Sequence, residues 1–374
     1  MIIPEYLIVI AASARMLAQA ARKSGLKALV IDLFADLDTQ SYAEAYRQVA
    51  SLAIEQLAPA VNFYIEQYPV RDVIYGSGFE CHSESLSYLH KRLNILGNDP
   101  SVFSQIHNKT SFFATLAQLG IAFPEVCFEP PVQPGDWLVK PISGQGGLGI
   151  QRFCDYGKEA SNVYWQKFQP GKAYSVLFLT NGQSAQVIGF NSQWTQTVHE
   201  TEHFSFSGVI NATDLTDEQK QQMAGHLVEL VAKFKLKGLN SLDFIQCDNK
   251  SHVLEINPRP SASMQLYEGD LLYRHILAVQ GLLTGALADP SGFSAYQIVY
   301  ASADVQISEH VEWPEAAQDL PPAGTIVKTG EPICSMIAHH TSAKAVREQL
   351  SNTQVIILNL MERLQTHAIS CKRQ

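Results

Sequence analysis

Cysteine is scarce and never paired. The six present (Cys81, Cys127, Cys154, Cys247, Cys334, Cys371) lie far apart with no CxxC spacing. That excludes a disulfide frame and a thiolate zinc centre, and points to reduced thiols in a cytoplasmic setting. Charge is also sparse, at 17% of residues, with a formal net charge of -9 and no Lys/Arg-rich run. Nucleic-acid backbone binding needs a clustered basic surface, so no nucleic-acid partner is expected. No apolar run is long enough to span a bilayer, and no membrane association is expected. The run Tyr6-Leu7-Ile8-Val9-Ile10 before Ala12-Ser13-Ala14 mimics a secretory signal, but Glu5 precedes it and no basic residue does, which argues against export. The turn after this first apolar run contains no glycine, so the GxGxxG dinucleotide fingerprint is missing.

What is present is an apolar fraction of 46% over 374 residues, enough for two or three domains with substantial cores. The first hundred residues alternate short apolar runs (residues 7–10, 28–31 and 72–75) with helical patterns, one expected over residues 41–57. This βαβ grammar implies a parallel sheet. Gly76-Ser77-Gly78-Phe79-Glu80 follows one of these strands and would let the backbone turn at the carboxyl end of the sheet, where ligands gather. Asn98-Asp99-Pro100 marks a boundary, followed by a helix from Lys109 that ends at Gly120.

Two patterns carry chemistry. Leu242-Asp243-Phe244-Ile245 and Val253-Leu254-Glu255-Ile256-Asn257-Pro258-Arg259 both alternate apolar and polar residues across a polar turn. They form a β-hairpin that can present Asp243 and Glu255 on one face. Two carboxylates and the Asn257 amide make a hard, all-oxygen set of the kind Mg²⁺ prefers, with Arg259 bringing a planar cation alongside. Upstream, Trp137-Leu138-Val139-Lys140-Pro141 runs into a loop with four glycines, Gly144, Gly146, Gly147 and Gly149. Backbone amides of such a flap can close over phosphates, although no Gly-Lys-Ser/Thr follows as in a Walker A loop.

In this order the motifs resemble the ATP-grasp superfamily, over most of the chain. The resemblance implies an α/β ATP-grasp fold with a Rossmann-like βαβ N-terminal domain over 1–103, a small lid domain over 104–172 and a larger α+β domain over 173–374. It implies that ATP and one or two Mg²⁺ ions bind between lid and large domain. Lys109 and Lys140 would contact phosphates under the flap of Gly144, Gly146 and Gly147. Gln166 with the backbone of Lys167 and Phe168 would read adenine. Asp243, Glu255 and Asn257 would hold the metal, and Arg259 would steady an acyl phosphate, with Lys140 as a second catalytic cation. The segments Asp319-Leu320-Pro321-Pro322-Ala323-Gly324 and Gly330-Glu331-Pro332-Ile333-Cys334 resemble the carboxylate–amine ligase branch. Within it the chain is similar to ligases of methanofuran and tetrahydromethanopterin cofactor biosynthesis, such as tyramine–glutamate ligase. Small-molecule carboxylate and amine substrates follow, and a homodimer is compatible with the family.

Two departures stand out. The hinge carries Gln166 where many members have glutamate, and Lys172-Ala173-Tyr174-Ser175 follows Gly171 where many have an acid for the ribose. His199-Glu200-Thr201-Glu202-His203 formally matches HExxH, and a zinc hydrolase using His199 and His203 is one alternative function. That motif requires a helix, and its β-branched and aromatic flanks disfavour one. The other alternative is a nucleotide-binding regulator with this fold and no turnover.

Overall fold

A computed structural model describes residues 3–132, 135–153, 161–198, 203–288 and 290–371, with side chains through residue 365. The chain opens with β1 (Tyr6–Ile10), α1 (Arg15–Lys23), β2 (Lys27–Asp32), α2 (Leu37–Tyr42), β3 (Ala45–Gln48), α3 (Ile54–Gln67), β4 (Asp72–Tyr75), α4 (Ser83–His90) and β5 (Asn94–Ile95). These strands form one sheet in the order β3-β2-β1-β4-β5, and each neighbouring pair is parallel. β1 is buried from Leu7 to Ile10 because helices cover both of its faces, which is why it reads as a continuous apolar run. The single helix expected over residues 41–57 is instead the end of α2, the edge strand β3 and the start of α3. β3 has no alternating pattern because an edge strand here faces solvent at three of its four positions.

Next come α5 (Pro100–His107), α6 (Lys109–Gln118), β6 (Val126–Cys127), β7 (Trp137–Pro141), β8 (Gln151–Arg152) and β9 (Val163–Lys167). The four strands pair in the order β6-β9-β7-β8. Then follow β10 (Lys172–Asn181), β11 (Ala185–Gln196), β12 (Ser205–Ile210), α7 (Asp217–Phe234), β13 (Lys237–Cys247), β14 (Lys250–Asn257) and α8 (Leu271–Val279). The chain closes with β15 (Phe293–Tyr300), β16 (Val305–Gln306), β17 (Ala317–Gln318), β18 (Ile326–Val327), β19 (Pro332–His340) and α9 (Ala343–Cys371). The large sheet runs β14-β13-β10-β11-β12-β15-β19-β17. α6 and α7 pack on it through Phe112, Leu116, Leu227 and Val231, and α9 packs on the β15/β19 end through Val346, Leu350 and Ile357. His339 and His340 end β19.

Polar ties hold the N-terminal sheet to the large one. Asn98 Nδ2 donates to Asn240 Oδ1 at 2.7 Å and to the Pro258 carbonyl at 2.9 Å, and the Tyr75 hydroxyl donates to the Asn98 carbonyl at 3.0 Å. On the other flank buried Arg15 pairs with Asp319 at 3.0 Å, which docks the Asp319-Leu320-Pro321 turn against α1. His275 on α8 is a third tie. Its Nδ1 accepts the Leu239 N–H at 2.8 Å and its Nε2 lies 2.9 Å from the Leu96 carbonyl, so the ring is neutral with the proton on Nε2.

Burial holds the His275 pKa down to about 4, against an ordinary value of 6.5. Because the folded state resists protonation, stability is full above pH 6.5 and falls as pH drops toward 4, where the unfolded chain binds the extra proton. Such a shift corresponds to about 3 kcal/mol. Replacing His275 with Asn keeps an acceptor for Leu239 and removes the titration. Urea unfolding at pH 7.5 and 4.5 should then show a smaller acid loss in the variant than in the wild type. An equal loss in both would assign acid sensitivity elsewhere.

Candidate active site

Asp243 and Glu255 pair across the hairpin as the alternation predicts. β13 and β14 pair antiparallel with Asp243 opposite Glu255, and the register shifts just after Asp243. Asn257 Nδ2 donates to Asp243 Oδ2 at 3.0 Å, and Gln193 Nε2 on β11 donates to Asp243 Oδ1 at 3.2 Å. Lys109, first residue of α6, reaches Glu255 Oε2 at 3.3 Å. Its helix start is fixed by the Asn108 side chain, which accepts the Ser111 N–H at 2.9 Å. The lysine is 9% exposed and the glutamate 42%, so the acid opens to the cleft while the cation backs it.

The two acids differ in proton affinity. Burial and the neighbouring Glu255 push Asp243 up to about 7. Against the upward push of burial, Lys109 and Lys140 hold Glu255 below the ordinary carboxylate range. Burial brings Lys140 down to about 8, where Glu255 and Asp243 partly restore it. Two adjacent acids sharing one excess negative charge suit a divalent cation, which would take the place of a proton on Asp243. Among the described residues no cluster of three His, Cys, Asp or Glu side chains converges as a metal site. Asp243, Glu255 and Asn257 would offer two carboxylates and an amide oxygen. That donor chemistry fits Mg²⁺, which keeps waters and takes the rest of its ligands from phosphate.

Arg259 is held by a residue that the sequence reading treated only as part of a turn. Glu80 Oε1 accepts from Arg259 Nε at 2.8 Å and lies 2.7 Å from Nη2 as an ion pair, and both side chains are buried. Glu80 Oε2 accepts the Gly78 N–H at 2.8 Å. Gly78 has φ 108 and a Cβ there would lie 2.7 Å from Leu52, so this turn requires glycine. Arg259 Nη2 also donates to Asn257 Oδ1 at 3.3 Å. A continuous chain Glu80–Arg259–Asn257–Asp243 thus runs from the N-terminal sheet to the acidic hairpin. The available signal was an acid two residues after a glycine at a strand's carboxyl end.

On the lid side, Lys140 on β7 donates to Gln166 Oε1 on β9 at 2.7 Å. Gln166 is buried and its Nε2 has no hydrogen-bond partner, leaving an unused donor in the hinge. The Lys167 and Phe168 N–H groups already donate to the Glu125 and Asp136 carbonyls, at 2.8 and 2.5 Å. Gly144, Gly146 and Gly147 sit in the connection between β7 and β8, with positive φ at Gly146 and Gly147. Lys172 and the Tyr174 hydroxyl, which follow Gly171, both donate to Asp214. His199 lies outside the described residues. His203 is exposed, with Nδ1 3.2 Å from Thr197 Oγ1, and the described flanks are strands β11 and β12.

A family model described as an ATP-grasp domain matches residues 106–263. An uncharacterized protein of Methanocaldococcus jannaschii is 22% identical over 66% of this chain and 64% of its own length. The carbamoyl phosphate synthase large chain of Caldanaerobacter subterraneus is 21% identical over 66% of this chain and 25% of its own. The chain thus spans less than two thirds of the curated relatives it matches. An L-amino acid ligase from Bacillus licheniformis superposes with a TM-score of 0.71 at 14% identity, covering 94% of this chain and 97% of that one. The biotin carboxylase domain of Hydrogenobacter thermophilus 2-oxoglutarate carboxylase, solved as a dimer with MgADP, gives 0.72 at 12%, covering 95% and 93%. At these identities the likeness shows the fold: this is an α/β ATP-grasp architecture.

Proposed function

We propose that this chain, whose residues 106–263 match a model described as an ATP-grasp domain, is an ATP-dependent ligase that joins a carboxylate to an amine. The observation that carries this reading is the chain of contacts from Glu80 through Arg259 and Asn257 to Asp243, with Lys109 on Glu255 beside it. Lys109 lies 3.3 Å from Glu255, and Lys109 and Lys140 both favour the Glu255 anion. A regulator without turnover has no need of a buried arginine aimed at the metal ligands.

On this reading Asp243, Glu255 and Asn257 hold Mg²⁺, which when bound neutralises phosphate oxygens. Lys140 and Lys109 take the remaining phosphate charge. Lys140, partly desolvated, stays cationic as an anion approaches, since the added negative charge raises its proton affinity. Gln166 Nε2, rather than the committed amides of Lys167 and Phe168, is the hinge donor for adenine. The substrate carboxylate attacks the γ-phosphate, releasing ADP and forming an acyl phosphate. The amine then adds to the acyl carbon, and phosphate leaves. Arg259, fixed in place by Glu80, stabilises the charge on the transferring group and on the tetrahedral carbon. The flap keeps water out so that the amine wins. We further propose that the acid and amine belong to the building of a one-carbon-carrier cofactor of the methanofuran or tetrahydromethanopterin type, on the resemblance of the segments around Asp319 and Gly330.

The test is ATP consumption with Mg²⁺ and a panel of amino acids, amines, pterin and furan precursors, with product masses. The expected outcome is one ADP and one phosphate per amide formed. AMP and pyrophosphate as stoichiometric products would overturn the acyl-phosphate route.

A further inference from the structure

We infer that the start of β12, Phe204 to Phe206, is the seat on which the glycine flap closes, and that Phe204 is a positioning residue for that flap. This rests on the reading of residues 144–149 as a phosphate cover. It gives a role to the aromatic end of the HETEH segment, which the ligase site otherwise leaves unused. Two backbone contacts make the seam. The Phe206 N–H donates to the Gly146 carbonyl at 2.8 Å. At the next residue, Gly147 has φ +75, and a Cβ there would run into the Phe204 carbonyl oxygen. The flap therefore reaches the seat only because residue 147 has no side chain. The seat itself is braced, since the Tyr300 hydroxyl donates to the Phe206 carbonyl at 2.7 Å.

Side chains extend the seam to the hinge. Arg152 on β8, the strand that leaves the flap, lies with its guanidinium carbon 4.4 Å from the Phe168 ring centre and 6.0 Å from that of Phe204. The two rings are 6.3 Å apart. Phe204 thus ties together a strand of the lid, the hinge after β9 and the large sheet. The cation is attracted to the faces of both rings. Beside the seam, Ser205 Oγ and Gln145 Oε1 are both buried with no hydrogen-bond partner. A contact serving stability alone would have these groups paired, whereas an unused donor and acceptor at a phosphate cover are available to a bound ligand. Closing the flap on this seat holds nucleotide in the cleft.

The experiment follows release of the fluorescent nucleotide mant-ADP with Mg²⁺, chased by excess ATP, in wild type, Phe204→Ala and Phe204→Tyr. Release from the Ala variant should be about 10-fold faster and from the Tyr variant about wild type, because tyrosine keeps the ring face. Melting temperatures without nucleotide should match across the three proteins. Equal release rates in wild type and Phe204→Ala would overturn the seat while leaving the ligase reading intact. A Phe204→Ala protein that already melts well below wild type without nucleotide would show a general packing role and overturn it too. Wild-type protein that fails to bind mant-ADP would remove the nucleotide reading on which the seat depends.

Discussion

Replacing Glu255 with Gln should abolish ligation, by about a thousandfold, while leaving the melting temperature close to wild type; that loss corresponds to about 4 kcal/mol in the activation barrier. Glu255 stands opposite Asp243 across the hairpin and 3.3 Å from Lys109. Lys109 and Lys140 outweigh the effect of burial and keep it ionised. The amide is nearly the same size, so packing changes little, but it brings no negative charge to a hard cation that binds through charge and releases water reluctantly. Two signatures should accompany the loss. The Mg²⁺ concentration for half-maximal rate should rise, and any residual rate at saturating Mg²⁺ should stay far below wild type, because the phosphate would be misplaced and not merely unbound. If Glu255 were an ordinary half-exposed strand residue, its variant would give the wild-type magnesium curve and plateau. That result would move the active site away from the hairpin.

Much of this site was legible in the sequence because its parts are local. A hairpin with period-two alternation fixes which residues share a face, so Asp243 and Glu255 could be paired from spacing alone. Lys140 before a run of four glycines is readable for the same reason, as strand and turn lie within a dozen residues. What escaped was everything set by tertiary contact. Glu80 is 179 residues from Arg259, and the Gly76–Ser77–Gly78 turn alone does not say what its following acid meets. Asp214 reaches Lys172 and Tyr174 from the segment before α7, and Gln193 reaches Asp243 from a strand that reads as an ordinary polar alternation. Within the fold, β3 was read as helix because a four-residue edge strand leaves almost no periodicity to detect. The hinge shows a subtler limit. The sequence names Lys167 and Phe168, but only the structure shows that their N–H groups already serve Glu125 and Asp136.

Removing Glu80 should be the most destabilising single change around the site. The Arg259 guanidinium donates through Nε to Glu80 Oε1 and forms an ion pair with the same oxygen through Nη2, and both side chains are buried between the N-terminal sheet and the hairpin. The Glu80 carboxyl remains below its ordinary range although burial pushes it up, because Arg259 and then His107 favour the anion. Glu80→Ala therefore strands a cation out of water, at a cost of about 3–5 kcal/mol, whereas an exposed pair would contribute about 1 kcal/mol or less. Arg259→Ala strands the anion in turn and should cost a similar amount. The double variant Glu80→Leu/Arg259→Met should lose less than the sum of the two single changes, since neither charge is left behind and the volume stays filled. All three should be inactive, because the chain from the N-terminal sheet through Asn257 to Asp243 is cut at Glu80, at Arg259 or at both. Urea midpoints of the singles and the double give the coupling directly. Single changes that each cost about 1 kcal/mol or less, with costs that simply add, would show the pair to be an incidental surface contact and would remove the structural ground for placing Arg259 at the reaction centre.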